Sequence, residues 1–362
     1  MFYFIIYLLL FPLMSLMSLF RKSAVSNNLI IQTAKIGDYV NTSIMFDAIK
    51  NTDLIIDKIN SSFALYDTRI KDVYFINDYK NNFFKKLTLA FIIFKNNYDN
   101  VYIVMPNSFN LFLGKMSFSK NKVTLSTYSN KWYTKILSLG IKKIIHTIND
   151  LTLDSYLKLI NQNYTHKEFK KIIQLPLLES KYNLIGKNKF NIGISLTAGN
   201  KLKTIDIKTW IKIFNIIEKL NHTIFIFGLD SEEKELNELK KAYNLDKLNM
   251  ISLLGKIPLE ELPSTISKMN LYISSDTGNS YIADTFDIPL INFAGPCYMK
   301  EQCPIGKNAL IIESNSPYVP YSFIFKAPYS GNTKDLYVIT KQQERLIEEF
   351  IIKNYKVTQF FE

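Results

Sequence analysis

From Asn28 onward, short apolar runs alternate with amphipathic stretches of helical length, and no other feature constrains the fold as strongly. Apolar runs at 29–33, 191–196, 271–275 and 290–293 have the length of buried strands. Strands that alternate with helices are joined by right-handed crossovers and form mostly parallel sheets. The sequence therefore predicts an α/β protein.

The length of the chain predicts two domains, since 362 residues exceed what one domain usually holds. A polar stretch rich in Lys and Asn, with Pro176 inside it, predicts the linker between them. Near the end, Thr340 and Gln343 have the spacing of a capping box that opens a last helix. We expect an apolar segment at residues 1–22 and an N-terminal domain at 23–165. A linker at 166–188 then leads to a C-terminal domain at 189–335 and a C-terminal helix at 336–362.

The N-terminal segment has no charged side chain over residues 1–20 and is followed at once by Arg21 and Lys22. Twenty such residues are enough to cross a bilayer core of about 30 Å. A cleaved signal peptide would carry its basic residues before the apolar run. Two arrangements stay open, a single N-terminal anchor and a helix lying peripherally on the membrane surface. Both predict a location at the cytoplasmic face of the inner membrane.

A predicted helix at residues 82–96 carries several aromatic side chains, including Phe83, Phe84 and Phe91. Its ordinary interpretation is a helix that packs on the core. The alternative is contact with a membrane or an acceptor through the aromatic face.

The charge balance favours anionic partners, because 44 Lys and Arg face 32 Asp and Glu. Phosphorylated lipids and sugar nucleotides both fit this surplus, but its ordinary interpretation is a solvated protein surface. The aromatic residues fall mainly inside apolar segments, and the chain has no block of five or six basic residues. We therefore expect no binding to nucleic acid.

The cysteines and histidines do not form a recognisable site. Cys297 and Cys303 form no CxxC pair and have no histidine cluster nearby, which argues against a zinc site or a disulfide framework. His146, His166 and His222 are scattered through sequence without motifs. We expect all five side chains to serve packing or the surface.

Three loops follow predicted strands and are the candidates for a binding site. Ligands of open parallel sheets bind beyond the carboxyl ends of the strands, where loops and helix N-termini meet. The loops lie at residues 34–38, 197–203 and 274–280.

The first loop places the flexible Gly37 before the carboxylate of Asp38. The second contains small residues, among them Gly199, that let backbone amides approach a phosphate, while Lys201 or Lys203 supplies positive charge. Neither loop has a Walker or a dinucleotide-binding motif. By itself, Asp38 has a second interpretation as the cap of the following helix.

The third loop joins an apolar strand to a helix. The amides at this helix start, together with the Thr277 and Ser280 hydroxyls, predict an anion cradle. Asp276 is unsuited to an anion site, so we expect it to brace the loop or to accept a sugar hydroxyl. The alternative is a tight strand-to-helix turn without a ligand.

Taken in this order, the segments resemble the heptosyltransferase family, the glycosyltransferases of family 9 that build the inner core of lipopolysaccharide. The resemblance covers roughly residues 28–352. The motifs that carry it are Lys35-Ile36-Gly37-Asp38, Gly199-Asn200-Lys201-Leu202-Lys203, Phe227-Gly228, Leu254-Gly255-Lys256 with Leu259-Glu260-Glu261-Leu262, Ser275-Asp276-Thr277-Gly278, and Phe293-Ala294-Gly295-Pro296.

The resemblance implies a GT-B architecture, in which two Rossmann-like domains face each other across a cleft and the last helix returns to the N-terminal domain. It also implies transfer of a sugar from a nucleotide donor with inversion, without a metal or other cofactor. The implied donor is ADP-heptose, and the implied acceptor is a lipopolysaccharide core or related lipid-linked glycan.

By the motif match, Asp38 is the expected general base and Lys203 is expected to neutralise the departing diphosphate. Asp230 is expected to bind the ribose hydroxyls. The full set of expected donor-binding residues is Thr197, Gly199, Lys201, Asp230, Asp276, Thr277, Gly278, Ser280 and Tyr281.

The sequence departs from the family pattern at several positions. Tyr281 stands where family members often have a histidine, and a phenol cannot become cationic near neutral pH. The usual aromatic-Pro pair after the mid-chain lysine is replaced by Thr204-Ile205-Asp206. These departures keep an alternative open, a non-catalytic sugar-nucleotide-binding or scaffold protein with a degenerate GT-B fold.

Overall fold

A computed structural model describes residues 1–21, 28–126, 132–174, 190–316 and 333–360. The chain divides into two compact units, Met1–Gln174 and Leu175–Glu362. The division falls inside the segment 166–188 that the sequence predicts as the linker, and residues 175–188 of that segment lie outside the described residues.

The first unit is built on a parallel sheet of six strands in the order β3-β2-β1-β4-β5-β6. Its central strands are almost completely buried because helices cover both faces of the sheet. The strands are β1 (Asn28–Gln32), β2 (Thr52–Ile56), β3 (Ile70–Phe75), β4 (Asn100–Ile103), β5 (Asn121–Leu125) and β6 (Lys142–Ile144).

Eight helices belong to the described part of the first unit. They are α1 (Phe2–Ser18), α2 (Ile36–Ala48), α3 (Ser61–Ala64), α4 (Ile76–Tyr79), α5 (Phe83–Asn96), α6 (Ser108–Met116), α7 (Trp132–Leu137) and α8 (Thr152–Ile160).

The second unit repeats this design with a parallel sheet in the order β12-β11-β10-β7-β8-β9. The strands are β7 (Phe190–Ile194), β8 (His222–Ile226), β9 (Met250–Ser252), β10 (Leu271–Ser275), β11 (Leu290–Phe293) and β12 (Ala309–Ile312). The helices are α9 (Ile207–Ile217), α10 (Glu233–Ala242), α11 (Leu262–Ile266), α12 (Gly278–Thr285) and α13 (Lys341–Phe360).

The predicted pair of parallel α/β domains is confirmed, since both sheets have the strand order of Rossmann-like folds. β10 and β11 have the predicted bounds. β6 and β12, which each lie at one edge of a sheet, were not predicted. β6 has only three residues, two of them lysines, so it lacks the apolar run that marks a central strand. β12 is an apolar run of four residues, Ala-Leu-Ile-Ile, so the sequence does carry a signal for it.

The last helix opens with the predicted capping box. The backbone N–H of Gln343 donates to Thr340 Oγ1 at 3.1 Å, and the backbone N–H of Thr340 donates to Gln343 Oε1 at 2.9 Å. α13 packs against α9 and β12, where Ile347 and Ile351 are buried in the core of the second unit. Its return to the first domain stays a prediction.

The apolar N-terminal segment forms α1, which packs against α6 and α7 of the first unit. Ile6 and Met14 lie on its inner face and join the core. Within the described residues, none of the helices combines the length and the apolar composition needed to span a bilayer.

The aromatic helix α5 combines a face that packs on the core with an exposed aromatic side chain. Leu89 and Ile93 are buried in the core, as a packed helix requires. Phe84, by contrast, is 75% exposed.

Candidate functional site

The strand order places a crevice at the carboxyl end of each sheet. In the second unit, chain connections run in opposite directions from the neighbouring strands β7 and β10, so the loops that follow them meet at the sheet edge. These are the second and third of the loops singled out in the sequence, at residues 197–203 and 274–280.

A buried ion pair joins these two loops. The Lys203 ammonium lies against the Asp276 carboxylate Oδ2, and the residues are only 8% and 3% exposed. The Ser275 hydroxyl also donates to the carbonyl of Lys203. Two loops that are 73 residues apart are thus fastened together at the end of the sheet. This agrees with the expectation that Asp276 braces its loop.

Two further side chains donate to Asp276. The Tyr281 hydroxyl, from α12, lies 2.6 Å from Asp276 Oδ1. The Cys297 thiol, from the loop after β11, lies 3.2 Å from Oδ2. We call Lys203, Asp276, Tyr281 and Cys297 the buried cluster. Its single carboxylate receives donors from all three of the other side chains.

The cluster keeps its charges because they compensate each other. Burial alone would raise the pKa of Asp276, but the Lys203 ammonium and the hydrogen bonds hold that pKa below its ordinary value. Burial alone would lower the pKa of Lys203, but the Asp276 carboxylate outweighs it and raises that pKa. Burial, followed by the Asp276 charge, raises the pKa of Tyr281 and of Cys297 well above their ordinary values. The phenol and the thiol therefore stay protonated donors at neutral pH.

The loop that carries Lys203 is held by local hydrogen bonds. Asn200 Oδ1 accepts from the Leu202 amide at 3.1 Å and opens a short 3-10 helix, Lys201–Lys203. The Tyr337 hydroxyl donates to the Leu202 carbonyl at 3.1 Å. Gly295 allows this contact, since a Cβ there would lie 2.1 Å from the Tyr337 oxygen and its φ is +54°.

Other expected residues of this loop lie nearer the surface. Thr197 is half-buried, whereas Gly199 and Lys201 are exposed. A Cβ at Gly199 would meet no atom within 4 Å, so the backbone there borders open space. Of the two lysines considered in the sequence, the structure buries Lys203 and leaves Lys201 in solvent.

The helix α12 begins next to the buried cluster. Thr277 is its N-cap, and its side-chain oxygen accepts from the Ser280 amide at 3.3 Å. The Ser280 hydroxyl donates to the Thr277 carbonyl at 2.7 Å. Both hydroxyls predicted to line an anion cradle thus take part in the cap. The first turn of a helix still leaves backbone N–H groups, here beginning at Gly278, without acceptors inside the helix.

A polar network missed by sequence analysis orients this helix. Asn279 Nδ2 donates to Ser195 Oγ at 3.1 Å, and Ser195 Oγ lies 2.8 Å from the Tyr272 hydroxyl. The network connects the first turn of α12 to the residue that follows β7 and to Tyr272 near the start of β10. No motif marks Ser195 or Tyr272, and only their register on adjacent parallel strands could have suggested the contact.

Asp230 lies after β8, the neighbour of β7 in the sheet, and is exposed. Its carboxylate sits over Gly255, where a Cβ would lie 1.8 Å from Asp230 Oδ1 and where φ is +64°. The Gly255 amide donates to the Gly228 carbonyl at 2.9 Å. Gly255 thus forms the backbone surface on which the Asp230 carboxylate rests, whereas a Cβ at Gly228 would lie 2.5 Å from Glu232 Oε2.

In the first unit, Asp38 lies in the first turn of α2 and is half-buried. The N-cap of this helix is Lys35, so Asp38 is the third helical residue and the predicted N-cap alternative is wrong. The Asp38 carbonyl accepts from Thr42 Oγ1 at 2.7 Å. A carboxylate in the first turn is stabilised by the positive end of the helix dipole.

Neutral side chains fix the loop before Asp38. Gln32 Oε1 accepts from the Ala34 amide at 3.2 Å, and Asn60 Nδ2 donates to the Ala34 carbonyl at 3.0 Å. Nearby, Asn110 of α6 donates from Nδ2 to Thr33 Oγ1 and to the Met105 carbonyl, both at 2.8 Å, and thereby links the segments that follow β1 and β4. Gln32, a polar residue inside an apolar strand, is the one visible sequence signal of these amides, which were not predicted.

The histidines have structural partners. His146 Nδ1 lies 2.6 Å from Ser155 Oγ, His166 Nδ1 lies 2.8 Å from Asp154 Oδ1, and His222 Nδ1 lies 2.8 Å from the Leu220 carbonyl. Over the described residues, no three His, Cys, Asp or Glu side chains gather as metal ligands. The metal independence implied by the resemblance stays a prediction.

The chain is similar in sequence to known glycosyltransferases. The family model described as glycosyltransferase family 9 (heptosyltransferase) matches residues 93–321. Lipooligosaccharide heptosyltransferase 2 of Campylobacter jejuni is 26% identical over 172 residues. That match covers 46% of this chain and 54% of the relative, or about half the length of each.

Solved structures share the fold. The E. coli ADP-heptose lipopolysaccharide heptosyltransferase II has a TM-score of 0.67 at 13% identity and covers 92% of this chain and 99% of its own. The E. coli heptosyltransferase WaaC with ADP has a TM-score of 0.63 at 16% identity and covers 91% and 99%. With the family model matched over more than half of its residues, this chain belongs to glycosyltransferase family 9, the heptosyltransferases.

Proposed function

We propose that this protein is a glycosyltransferase that moves a sugar from a nucleotide donor to a lipid-linked glycan, with inversion and without a metal. The donor is ADP-heptose and the acceptor is a lipopolysaccharide core or a related glycan. The observation that carries the proposal is the buried cluster beside the first turn of α12, at the switch point of the second sheet.

The second unit is the donor side of the proposed reaction. A diphosphate at the start of α12 would meet backbone amides from Gly278 onward and the field of Lys203. Asp276 and Tyr281 hold this cation in one place before the donor arrives. Because the groups are preorganised, charge that develops on the diphosphate is stabilised without reorganisation of the protein. In this proposal, the exposed Asp230 carboxylate accepts hydrogen bonds from the ribose hydroxyls.

The first unit supplies the general base. The acceptor oxygen attacks the anomeric carbon, and a new carbon–oxygen bond forms on the face opposite the diphosphate. The bond to the diphosphate oxygen breaks and its electron pair leaves with ADP, while Asp38 takes the acceptor proton. Asp38 and Lys203 belong to different units, so the proposed reaction uses one residue from each.

A panel of donors tests this assignment. The full-length protein is mixed with ADP-heptose or with other ADP-, UDP-, GDP- and CMP-sugars, and Tm is measured. A donor at 100 times its Kd stabilises the folded state by about 2.7 kcal/mol. We expect ADP-heptose to raise Tm most and to release ADP when a heptose-deficient lipopolysaccharide core is added. Preference for a donor with another nucleotide would overturn the choice of ADP-heptose.

A second candidate function is non-catalytic binding of a sugar nucleotide. The observation that favours it is the pairing of Lys203 with Asp276, which compensates inside the protein the charge that catalysis would use. Saturable donor binding without release of ADP, with or without the acceptor, would support this alternative. Release of ADP that depends on Asp38 would exclude it.

A further inference from the structure

The outer face of α1 is an unusual surface for a folded domain. The helix has apolar residues all round, and its inner face already packs on α6 and α7. Its outer face leaves five large aliphatic side chains exposed, with Leu9 at 75% and Leu16 at 58%. They are Ile5, Leu8, Leu9, Leu13 and Leu16. Contiguous apolar surface of this kind marks a site of interaction.

Aromatic side chains extend this face onto the neighbouring helices. The rings of Phe2 and Phe83 of α5 lie 5.8 Å apart, and the rings of Phe4 and Trp132 of α7 lie 6.0 Å apart. Phe84 and Trp132 are themselves exposed. We call the five aliphatic residues of α1, together with Phe83, Phe84 and Trp132, the apolar face. Aromatic side chains are favoured where apolar chains meet polar headgroups.

Basic residues border the apolar face. Lys86 Nζ lies 5.6 Å from the ring centroid of Tyr3, and Lys115 Nζ lies 4.6 Å from that of Tyr7. Arg21, just after α1, stacks on Phe94. Together, α1, α5, α6 and α7 contain five lysines and no acidic residue.

The charge of the whole chain is concentrated in the same unit. Residues 1–174 contain 22 Lys or Arg and 11 Asp or Glu, a surplus of 11 out of the chain's total of 12. Residues 175–362 are almost neutral, with 22 basic and 21 acidic side chains. An apolar surface with a basic border, and without carboxylates, matches an anionic lipid surface in both hydrophobicity and charge.

We propose that the apolar face docks on the anionic leaflet of a bilayer and that α1 lies in the interface rather than crossing it. Ile6 and Met14 hold the inner side of α1 in the protein core, so the helix stays on the surface of the first unit. The lysines around it contact lipid phosphates. This inference does not depend on the transfer reaction and is tested without it.

Vesicle sedimentation measures the docking. Full-length protein is mixed with one of two kinds of vesicle, phosphatidylcholine alone or phosphatidylcholine with about 30% phosphatidylglycerol. The phosphatidylglycerol gives the vesicle a negative surface potential. We expect strong binding to the anionic vesicles, and weaker binding when NaCl is raised, since salt screens charges beyond a Debye length. Equal binding to both vesicles at all salt concentrations would overturn the role of the lysines.

Two pairs of variants locate the surface. The double substitution Leu9→Glu/Leu16→Glu is expected to lower partitioning into anionic vesicles at least about tenfold, which equals about 1.4 kcal/mol. The matched control is Leu346→Glu/Val357→Glu, on exposed positions of α13, and it should bind like the wild type. Lys85→Gln/Lys86→Gln should weaken binding and its salt dependence, whereas Lys240→Gln/Lys241→Gln on α10 should not.

Because the substituted side chains point away from the core, Tm should stay near that of the wild type in all four variants. Unchanged vesicle binding by Leu9→Glu/Leu16→Glu would overturn the proposal. The proposal would also be overturned if the wild-type protein did not bind vesicles and instead formed a dimer that Leu9→Glu/Leu16→Glu converts to a monomer. A second copy of the chain would then cover the apolar face.

Discussion

Asp38 in the first unit is half-buried in the first turn of a helix, whereas Lys203 in the second unit is buried against a carboxylate. The loop before Asp38 is positioned by neutral amide groups, those of Gln32 and Asn60. Lys203 is positioned by the charge of Asp276, which two further donors hold in place. The two halves of the proposed reaction thus rest on different physical interactions.

Because the two sites are held differently, substitutions at Asp38 should change the reaction, whereas substitutions in the buried cluster should change stability. Replacement of a half-buried carboxylate by its amide leaves no buried charge behind, so the effect at Asp38 should fall on the reaction. Removal of one partner from a buried ion pair leaves the other charge uncompensated, which strongly destabilises a protein. Substitutions in the buried cluster should therefore first lower the free energy of unfolding of the second unit.

The largest effect on stability is expected for Lys203→Met, which leaves the Asp276 carboxylate buried without its ammonium partner. We expect a loss of about 3 kcal/mol in the free energy of unfolding. The measurement is denaturant unfolding followed by circular dichroism. The control Lys201→Met, two residues away and exposed, should stay within about 0.5 kcal/mol of wild type. Equal stability of the two variants would show that the ion pair contributes nothing.

A smaller effect is expected for Tyr281→Phe, which removes one hydrogen bond to the Asp276 carboxylate. Hydrogen bonds to charged groups contribute about 1.5–3 kcal/mol when buried. The matched control is Tyr243→Phe, because the Tyr243 hydroxyl donates to Glu218 at 2.7 Å on a part-buried surface. That control should lose less than about 1 kcal/mol, as exposed polar pairs do. A larger loss for the Tyr243 variant would contradict the ranking of the two sites.

The smallest effect concerns the thiols and needs no substitution. Cys297 is buried and its pKa is raised, first by burial and then by the Asp276 charge, while Cys303 is half-buried. Iodoacetamide reacts with thiolates, so we expect it to modify Cys303 at least about ten times faster than Cys297. Peptide mass spectrometry of a time course gives both rates. Faster modification of Cys297 would mean that the buried cluster opens to solvent.

The sequence was sufficient for the two-domain α/β architecture and for the loops at 197–203 and 274–280 that the buried cluster joins. Buried central strands are long apolar runs, so β10 and β11 could be bounded from the sequence alone. β6 could not, because it has only three residues and two of them are lysines. Its place in the sheet depends on pairing with β5, which is a tertiary property.

The chemistry of the site was only partly predictable. The motifs indicated Lys203 and Asp276 separately, as a diphosphate ligand and a loop brace, but not that they pair across 73 residues. Cys297 was assigned to packing, yet it follows β11 just as Asp276 follows β10, and parallel neighbours end at the same edge. Such contacts follow from strand order, which a single sequence does not show residue by residue.

The most direct test of the account is the Asp38→Asn variant, measured for both donor binding and transfer. A general base contributes about a hundredfold to ten-thousandfold to a rate, so kcat should fall by that factor. Calorimetry should give a Kd for ADP-heptose within about twofold of the wild type, a difference of about 0.4 kcal/mol. Asp47→Asn, near the other end of α2, should keep the full kcat. A wild-type kcat for Asp38→Asn would contradict the assignment of the base, and with it the division of labour between the two units.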